Sequence, residues 1–447
     1  MTLGDNEVTQ SVQASTGDRR VQVRRAALAG SIGTTIEWYD FFLYNTAAAL
    51  VFPHLFFPAS SAYAGVMQSF ATYAVGFAAR PVGAAIFGHW GDRLGRKATL
   101  IVTLLLMGLS SAVVGLLPGA ATIGVAAPLI LVLLRLVQGI AIGGEWSGSV
   151  LLAMEWGDQR RRGLLASFAQ VGVPVGLVLG TGGMTLLSAT LSPEAFSSWG
   201  WRIPFLLSLV LVAIGLVIRL RILETPMFAA AVAAKRTSKA PVKDVVRRHW
   251  REILLSAGLR FSEQMPFYLF TSYVLVYVVQ RPEFSKTFVL NAVLVGAAAE
   301  LVLIPLFSQF SDRIGRKQVY LTGAVLTGVI AFPYFTVLTH SGHGMIFLAI
   351  IVSLVAHSMQ YGPQAALIGE SFPTHLRYGG AGLGYQLASV FAGGPAPLLA
   401  TWLLHTTGTP YSISIYIVAS VVVTVACVIA LPDRSKANID DVGVYAR

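Results

Sequence analysis

The residues of this 447-residue chain that are capable of chemistry lie mostly inside long apolar runs, where an ionised side chain is expensive without a partner. Glu37 and Asp40 stand three apart, on one face of a helix, with Tyr44 a turn further on. Arg80 precedes Pro81, and Arg135 precedes Gln138 on the same face, with Glu145 almost three turns beyond. Arg260 and Glu263 open a run in the second half, followed by Glu300, by His357, Gln360, Tyr361 and Gln364, and by Tyr385 and Gln386. A guanidinium keeps its charge, so Arg80 and Arg135 each require a carboxylate from the protein or from a ligand. An embedded carboxyl holds its proton towards neutral pH and releases it more readily when an arginine approaches. Together these types fit the handling of a small carboxylate coupled to protons. Arg80, Arg135, Gln138, Tyr44, Gln364 and Tyr385 are the expected substrate contacts, and Glu37, Asp40, Glu145 and Glu263 the expected proton carriers.

Blander readings stand beside these. Glu37 and Asp40 can be halves of structural ion pairs, Arg80 can snorkel to a membrane surface, and glycines such as Gly139, Gly143 and Gly144 usually serve close helix packing. A lone His357 is most often simply hydrogen-bonded. Other chemistries lack their residues: there is no G-x-x-x-x-G-K-[ST] loop for ATP, and the eight histidines show no H-E-x-x-H spacing. Cys427 is the single cysteine, so neither a disulfide framework nor a cysteine metal site is available. No cofactor and no metal are expected.

The elements that position these residues follow from composition. With 55% hydrophobic and 12% charged residues, the chain reads as an all-α, polytopic membrane protein. Apolar stretches of about 20 residues, enough to cross a hydrocarbon core, recur along it. Helices are predicted over 27–52, 63–88, 98–117, 126–154, 163–189, 201–220, 251–280, 285–307, 318–338, 345–369, 379–404 and 409–431. The net charge of +11 does not mark a nucleic-acid partner, because Lys and Arg fall on alternate loops. By the positive-inside rule both termini are cytoplasmic, and twelve crossings satisfy that. Trp199 and Trp201 read as an interfacial anchor on the outer side. The polar stretch before Ala26 reads as a disordered tail without the apolar centre of a signal peptide.

An internal repeat divides the chain. Gly88-His89-Trp90-Gly91-Asp92-Arg93-Leu94-Gly95-Arg96-Lys97 returns close to half a chain length later as Ser308-Gln309-Phe310-Ser311-Asp312-Arg313-Ile314-Gly315-Arg316-Lys317. Glu155 and Arg162 are likewise echoed by Glu370 and Arg377, at nearly the same offset. The expected organisation is a tail over 1–26, six-helix bundles over 27–220 and 251–431, a basic linker over 221–250 and a second tail over 432–447. Lys235, Arg236, Lys239, Lys243, Arg247 and Arg248 on the linker suit anionic lipid headgroups. Asp92, Arg93, Arg96, Asp312, Arg313 and Arg316 sit at helix junctions where charged contacts form in one state and break in another. The second copy, with serines in place of two glycines, is expected to matter less.

These motifs, with Glu37-Trp38-Tyr39-Asp40-Phe41, Trp201-Arg202-Ile203-Pro204-Phe205 and Glu224-Thr225-Pro226, resemble the major facilitator superfamily and, within it, the metabolite:proton symporters. Tyr361-Gly362-Pro363-Gln364 and Gly384-Tyr385-Gln386-Leu387-Ala388-Ser389 are most similar to the shikimate-transporter branch. The resemblance implies two six-helix bundles, a substrate between them opened alternately to either side, and the Asp-Arg loops as a latch. The expected function is proton-driven import of a small organic acid across the inner or plasma membrane of a prokaryote, by a protein functional as a monomer. The alternative is a proton symporter for a zwitterionic osmolyte such as proline or betaine; the short polar tail after Leu431 is too small for the long coiled coil of osmosensing members. A membrane-embedded enzyme and a channel are the rivals from other classes.

Overall fold

The computed structural model describes residues 16–58, 60, 62–233, 241–439 and 442–445. Helices occupy every predicted interval: α1 (Thr16–Leu50), α2 (Ala62–Leu94), α3 (Arg96–Leu116), α4 (Ala126–Trp156), α5 (Arg162–Thr190), α6 (Arg202–Leu220), α7 (Pro241–Leu259), α8 (Phe261–Tyr268), α9 (Val274–Val278), α10 (Lys286–Ile314), α11 (Arg316–His340), α12 (His343–Gly369), α13 (Arg377–Ala388), α14 (Ala396–Thr407) and α15 (Tyr411–Ala430). Among the described residues there is no strand, and nine helical stretches are long and apolar enough to cross a membrane. The α1 interval is not one of the nine, because Thr34, Thr35, Glu37 and Asp40 dilute its apolar character. The polarity of the helices is inverted relative to a water-soluble protein. Leu133, Val302, Val329, Ile415 and Val422 point outward while Glu37, Arg135, Glu263 and His357 are buried.

Two predicted helices are broken. The 251–280 interval is α7, α8 and α9, joined through Arg260 and a π-helical turn over Leu269–Tyr273 that follows Pro266. The 379–404 interval is α13 and α14, with a π-helical turn over Ser389–Gly393 before Gly394-Pro395. Pro395 removes a helix donor and clashes with the turn before it, which accounts for the second break; the first π-helical turn begins three residues after Pro266, which itself stays within helix. Residues 16–26, expected in a disordered tail, continue α1 as helix. Of the expected interfacial anchor, Trp199 is half exposed, whereas Trp201 is fully buried against Phe52 and Phe205; beside it Arg202 donates to the carbonyls of Gly115 and Leu117, both at 2.8 Å. Lys235, Arg236 and Lys239 of the linker lie outside the described residues.

Within the first half α1 packs along α5, α2 along α4, and α3 between α4 and α6; in the second, α12 packs on α10 and α11. Gly83, Gly139 and Gly143 let α2 and α4 cross with backbones in contact, since a Cβ at any of them would strike the opposite chain. The two halves meet where α5 packs on α10 and α12, and where α13 packs on α2. Those contacts repeat the internal symmetry of the sequence, because α2 and α10 carry the two copies of the Asp-Arg motif. Gly95 (φ 109°) and Gly315 (φ 114°) turn the chain sharply between α2 and α3 and between α10 and α11, a conformation that excludes a side chain.

Candidate functional site

At the end of the molecule where the second tail and the linker meet, Asp92 and Asp312 each reach across to the other half. Asp92 accepts the backbone N–H groups of Tyr378 (3.2 Å) and Gly379 (2.9 Å) in the first turn of α13. Asp312 accepts those of Gly163 and Leu164, both at 2.9 Å, in the first turn of α5. A carboxylate at a helix N-terminus satisfies orphan donors and meets the positive end of the helix dipole. Around each Asp lies an ionic cluster. Arg96 contacts Asp92 and Glu155 at 3.4 Å each, and Glu155 also takes Arg377 of the other half at 3.3 Å. Arg316 contacts Asp312 at 2.6 Å and Glu370 at 3.0 Å, and Glu370 takes Arg162 at 3.6 Å.

Two expectations are modified here. The second copy is no weaker in its contacts: Asp312 makes the same pair of N–H bonds as Asp92 although Ser308 and Ser311 replace Gly88 and Gly91. Arg93 and Arg313 are exposed and stand outside the clusters. The sequence displays the repeated Glu155/Arg162 and Glu370/Arg377 pairs without joining them to the motif; their common spacing is the available signal. Thr225 of the linker donates to Glu155 at 2.6 Å, and Glu224 receives the N–H of Lys97 at 3.2 Å, so the linker begins within the first cluster. Burial raises the Glu224 carboxyl above its ordinary range, opposed by the backbone N–H of Thr225 and by Arg96. The second tail is seated as well: Arg162 donates to Ala437 O at 3.0 Å, Arg377 to Ile439 O at 3.0 Å, and Tyr445 to Glu370 O at 3.2 Å.

Further inside, the predicted residues fall into separate groups. Arg135 on α4 lies 3.7 Å from Asp40 and donates to Gln138 at 3.2 Å, with its guanidinium 4.2 Å above the ring of Tyr44. Ser111 on α3 completes this group by donating to Asp40 and accepting from Gln138 at 2.9 Å. Glu145 stands apart from it. It pairs with Arg219 on α6 and accepts from Thr103 (2.8 Å) and Ser149 (2.9 Å), the arrangement of a structural ion pair. In the second half Arg260 contacts Glu263 (3.2 Å) and Gln364 (3.3 Å) and lies 3.3 Å above the ring of Tyr385. Gln364 donates to Glu263 at 2.8 Å. Arg260, His357 and Glu300, conspicuous in the sequence but without an expected role, belong to this group, as His357 lies 2.6 Å from Glu300 and 3.4 Å from Glu263.

Between the halves the polar side chains change character. Arg80 is buried and makes no hydrogen bond or ion pair with a described residue; its guanidinium lies 4.4 Å above Phe77 and 5.1 Å from Phe41. Across the interface Phe77 and Phe41 meet Tyr268 at 6.0 and 6.1 Å, and Trp38 meets Phe267 at 6.4 Å. Glu37 Oε2, Arg80 Nε, Gln264 Oε1 and the Tyr268 hydroxyl are all buried without a hydrogen-bond partner among the described residues. Native interiors leave few such atoms, and a concentration of them on both sides of one interface marks a place for a polar ligand. One turn towards the clusters the interface is sealed, with Trp146 stacked on Tyr385 at 3.6 Å and Gln170 donating to Tyr361 O at 3.2 Å.

Two helical halves related by an internal repeat, joined by ionic clusters at one end and carrying polar atoms without partners among the described residues where they meet, are the arrangement of a membrane carrier. The chain belongs to the Major Facilitator Superfamily, whose profile matches residues 30–377 and 284–443. It is 40% identical over 422 residues to the shikimate transporter of Escherichia coli (strain K12), covering 93% of this chain and 96% of that protein. It is 32% identical over 398 residues to a proline/betaine transporter of Salmonella typhimurium (strain LT2), covering 86% and 79% respectively. Its fold matches the proton:xylose symporter XylE bound to 6-bromo-6-deoxy-D-glucose with a TM-score of 0.78, over 95% of this chain and 99% of that one, at 18% identity. The resemblance read from its motifs is thus borne out, and the chain is a multi-pass transporter of the cell membrane.

Proposed function

We propose that this protein is a proton-coupled symporter that imports a small organic acid of the shikimate type by alternating access between two six-helix bundles. The observation that carries this reading is the buried, unpartnered Arg80 Nε at the bundle interface, where Glu37 Oε2 on the same side and Gln264 Oε1 and the Tyr268 hydroxyl on the other also lack partners among the described residues. A substrate carboxylate supplies the acceptor that Arg80 lacks, and a hydroxylated ring supplies partners for Gln264 and Tyr268. In this reading Arg80, Arg135, Gln138, Tyr44, Gln364 and Tyr385 form or support the substrate site, and Glu37, Asp40 and Glu263 titrate with transport. Glu145 is the weakest of the expected carriers, because Arg219 already holds it. The chain crosses the membrane twelve times with both termini cytoplasmic, in bundles over 27–220 and 251–431 joined by the linker. The Asp92 and Asp312 clusters then close the cytoplasmic side, and an opening of that side must break both. The carboxylate reading is favoured over the osmolyte one by the higher identity to the shikimate transporter over more of the chain.

The test is uptake of radiolabelled shikimate into proteoliposomes with an imposed pH gradient. Accumulation should rise when the interior is alkaline and collapse with a protonophore. Accumulation that requires sodium and ignores pH refutes the proton coupling; uptake of betaine in place of any organic acid refutes the substrate class.

A further inference from the structure

In the second bundle four charged groups from separate elements form one chain. Arg260, between α7 and α8, lies 3.2 Å from Glu263 on α8; Glu263 lies 3.4 Å from His357 Nε2 on α12; and His357 Nδ1 lies 2.6 Å from Glu300 on α10. All four are buried. The two imidazole contacts differ in kind. The Nδ1 contact is a short, aligned hydrogen bond; the Ser358 hydroxyl lies 3.4 Å from the same Glu300 oxygen and 2.9 Å from Leu354 O. The Nε2 contact is a charge contact only, since Nε2 has no aligned hydrogen-bond partner. The ring is held between Phe267 (centroids 4.6 Å) and Tyr361 (5.0 Å), so it can exchange protons at both nitrogens without turning. The other polar groups facing the chain include Gln364, which bridges Glu263 and Tyr320, the Tyr385 carbonyl (2.5 Å) and Ser389 hydroxyl (3.4 Å), to which Arg260 donates, and the Tyr361 and Tyr385 hydroxyls, 3.3 Å apart; the Tyr385 ring lies under Arg260.

Resting on the symport reading above, we infer that His357, clamped by Glu300 and facing Glu263, carries the coupled proton, with Arg260 as the group through which the arriving anion is sensed. Charge balance gives the step. Arg260 and an imidazolium at His357 together offset carboxylates at Glu263 and Glu300, so the four groups sum to zero. A substrate carboxylate that shares the Arg260 guanidinium adds one negative charge, and a single proton restores neutrality. As Glu263 loses its share of the guanidinium it takes the proton from His357: the Nε2–H bond breaks, an O–H bond forms on Glu263, and the imidazole is left neutral with Nδ1–H still donated to Glu300. A proton from the bathing solution then binds the Nε2 lone pair. On release of the anion Arg260 returns to Glu263, and the extra proton leaves on the side to which the site is open. The interruption at Arg260 and the π-helical turn over Leu269–Tyr273 flank Glu263, so this exchange lies on a segment whose helix geometry is already interrupted. Glu300 acts through His357 and is a positioning residue.

The experiment compares radiolabelled shikimate in two modes in proteoliposomes: uphill accumulation driven by a pH gradient, and exchange at equal concentrations and pH. His357→Gln should abolish the uphill accumulation, dropping it at least tenfold, while exchange stays within a few-fold of wild type. Glu300→Gln should keep both modes but displace the pH profile of coupled uptake by about one to three units. His357→Gln that still accumulates shikimate against its gradient overturns the relay. Loss of exchange as well as accumulation in both variants also overturns it, marking the chain as structural. A wild type that ignores the pH gradient defeats the symport reading itself, an outcome distinct from a wild type that responds alongside an equally responsive His357→Gln.

Discussion

Replacing Asp92 by Asn is the most direct perturbation of the closed end. The carboxylate accepts two N–H groups at the start of α13, at 3.2 and 2.9 Å, and faces Arg96 at 3.4 Å. An asparagine keeps one acceptor oxygen but turns a donor towards the second N–H, so one charge-assisted bond is lost and the other becomes neutral. Bonds to charged groups contribute about 1.5–3 kcal/mol and neutral ones about 0.5–1.5, so with the helix-dipole term the closed state loses about 2–4 kcal/mol. That corresponds to an opening equilibrium shifted about 30- to 700-fold. Spin labels at Arg93→Cys and Arg313→Cys, exposed on opposite bundles, report the change in a Cys427→Ser background. The labelled parent should show one dominant short distance, and Asp92→Asn a broadened population at longer distance. Because Asp312 makes the matching pair of bonds at 2.9 Å, Asp312→Asn should have an effect of the same size. An unchanged distance distribution in either variant, with exchange rates intact, refutes the latch assignment.

Glu145→Gln leaves Arg219 buried without its carboxylate and should cost about 3–5 kcal/mol of stability, read as a large fall in thermal midpoint in detergent; protein that survives should still couple shikimate uptake to protons, and loss of coupling at normal stability would make Glu145 a carrier after all. Arg135→Lys keeps the charge but loses the fork that reaches Gln138 and the flat face above Tyr44. It should lower shikimate affinity about tenfold in a binding titration and move its pH dependence; unchanged values would make Arg135 structural and leave Arg80 as the anion partner. Deletion of residues 432–447 removes the tail from Arg162, Glu370 and Arg377 and should favour the long-distance population of the same spin-label pair, whereas an unaltered distribution would mean the tail merely rests on the clusters.

How much of the molecule is legible in its sequence depends on whether a property is local. Apolar runs broken by glycine, proline and charge locate most of the helices within a few residues, because length and polarity decide whether a segment suits a bilayer; α7, which begins at Pro241 within the expected linker and not at 251, is an exception. The start of α1 escapes this reading because residues 16–26 are largely polar, and their seat is tertiary: Ala26 is buried with Ile222, and Gln22 accepts the N–H of Leu223 at 3.4 Å. The breaks around Pro266 and Pro395 are visible as prolines, while the π-helical turns depend on how neighbouring helices re-satisfy the freed carbonyls. Ionisable residues are found readily, since each is conspicuous in an apolar run. Their pairing is not, since a partner is a three-dimensional fact: Arg219 reads in sequence only as a topological charge at the end of α6, yet it reaches back to Glu145. Arg162 and Arg377 read as belonging to their own halves, although each pairs across the interface.

The same limit explains why the two halves are not functional copies. The repeat duplicates the Asp92 and Asp312 contacts because those residues serve helix ends, which both bundles possess. The embedded charges obey no such repeat. In the first bundle Arg135 and Asp40 stand 3.7 Å apart beside an uncharged Ser111–Gln138 relay, with no imidazole among the described contacts. In the second, Arg260 leads through Glu263 to His357 and Glu300. A lone ion pair can hold or yield one anion, whereas a chain ending in an imidazole between two carboxylates can also move a proton along its length. The division this implies, an anion received at the interface and shared with Arg260, and proton handling by the rest of the second-bundle chain, requires both to face one interface. Arg80 and Glu37 on one side and Tyr268 and Gln264 on the other carry atoms there without partners among the described residues, so a single ligand bridging them would draw the two unlike networks into one cycle.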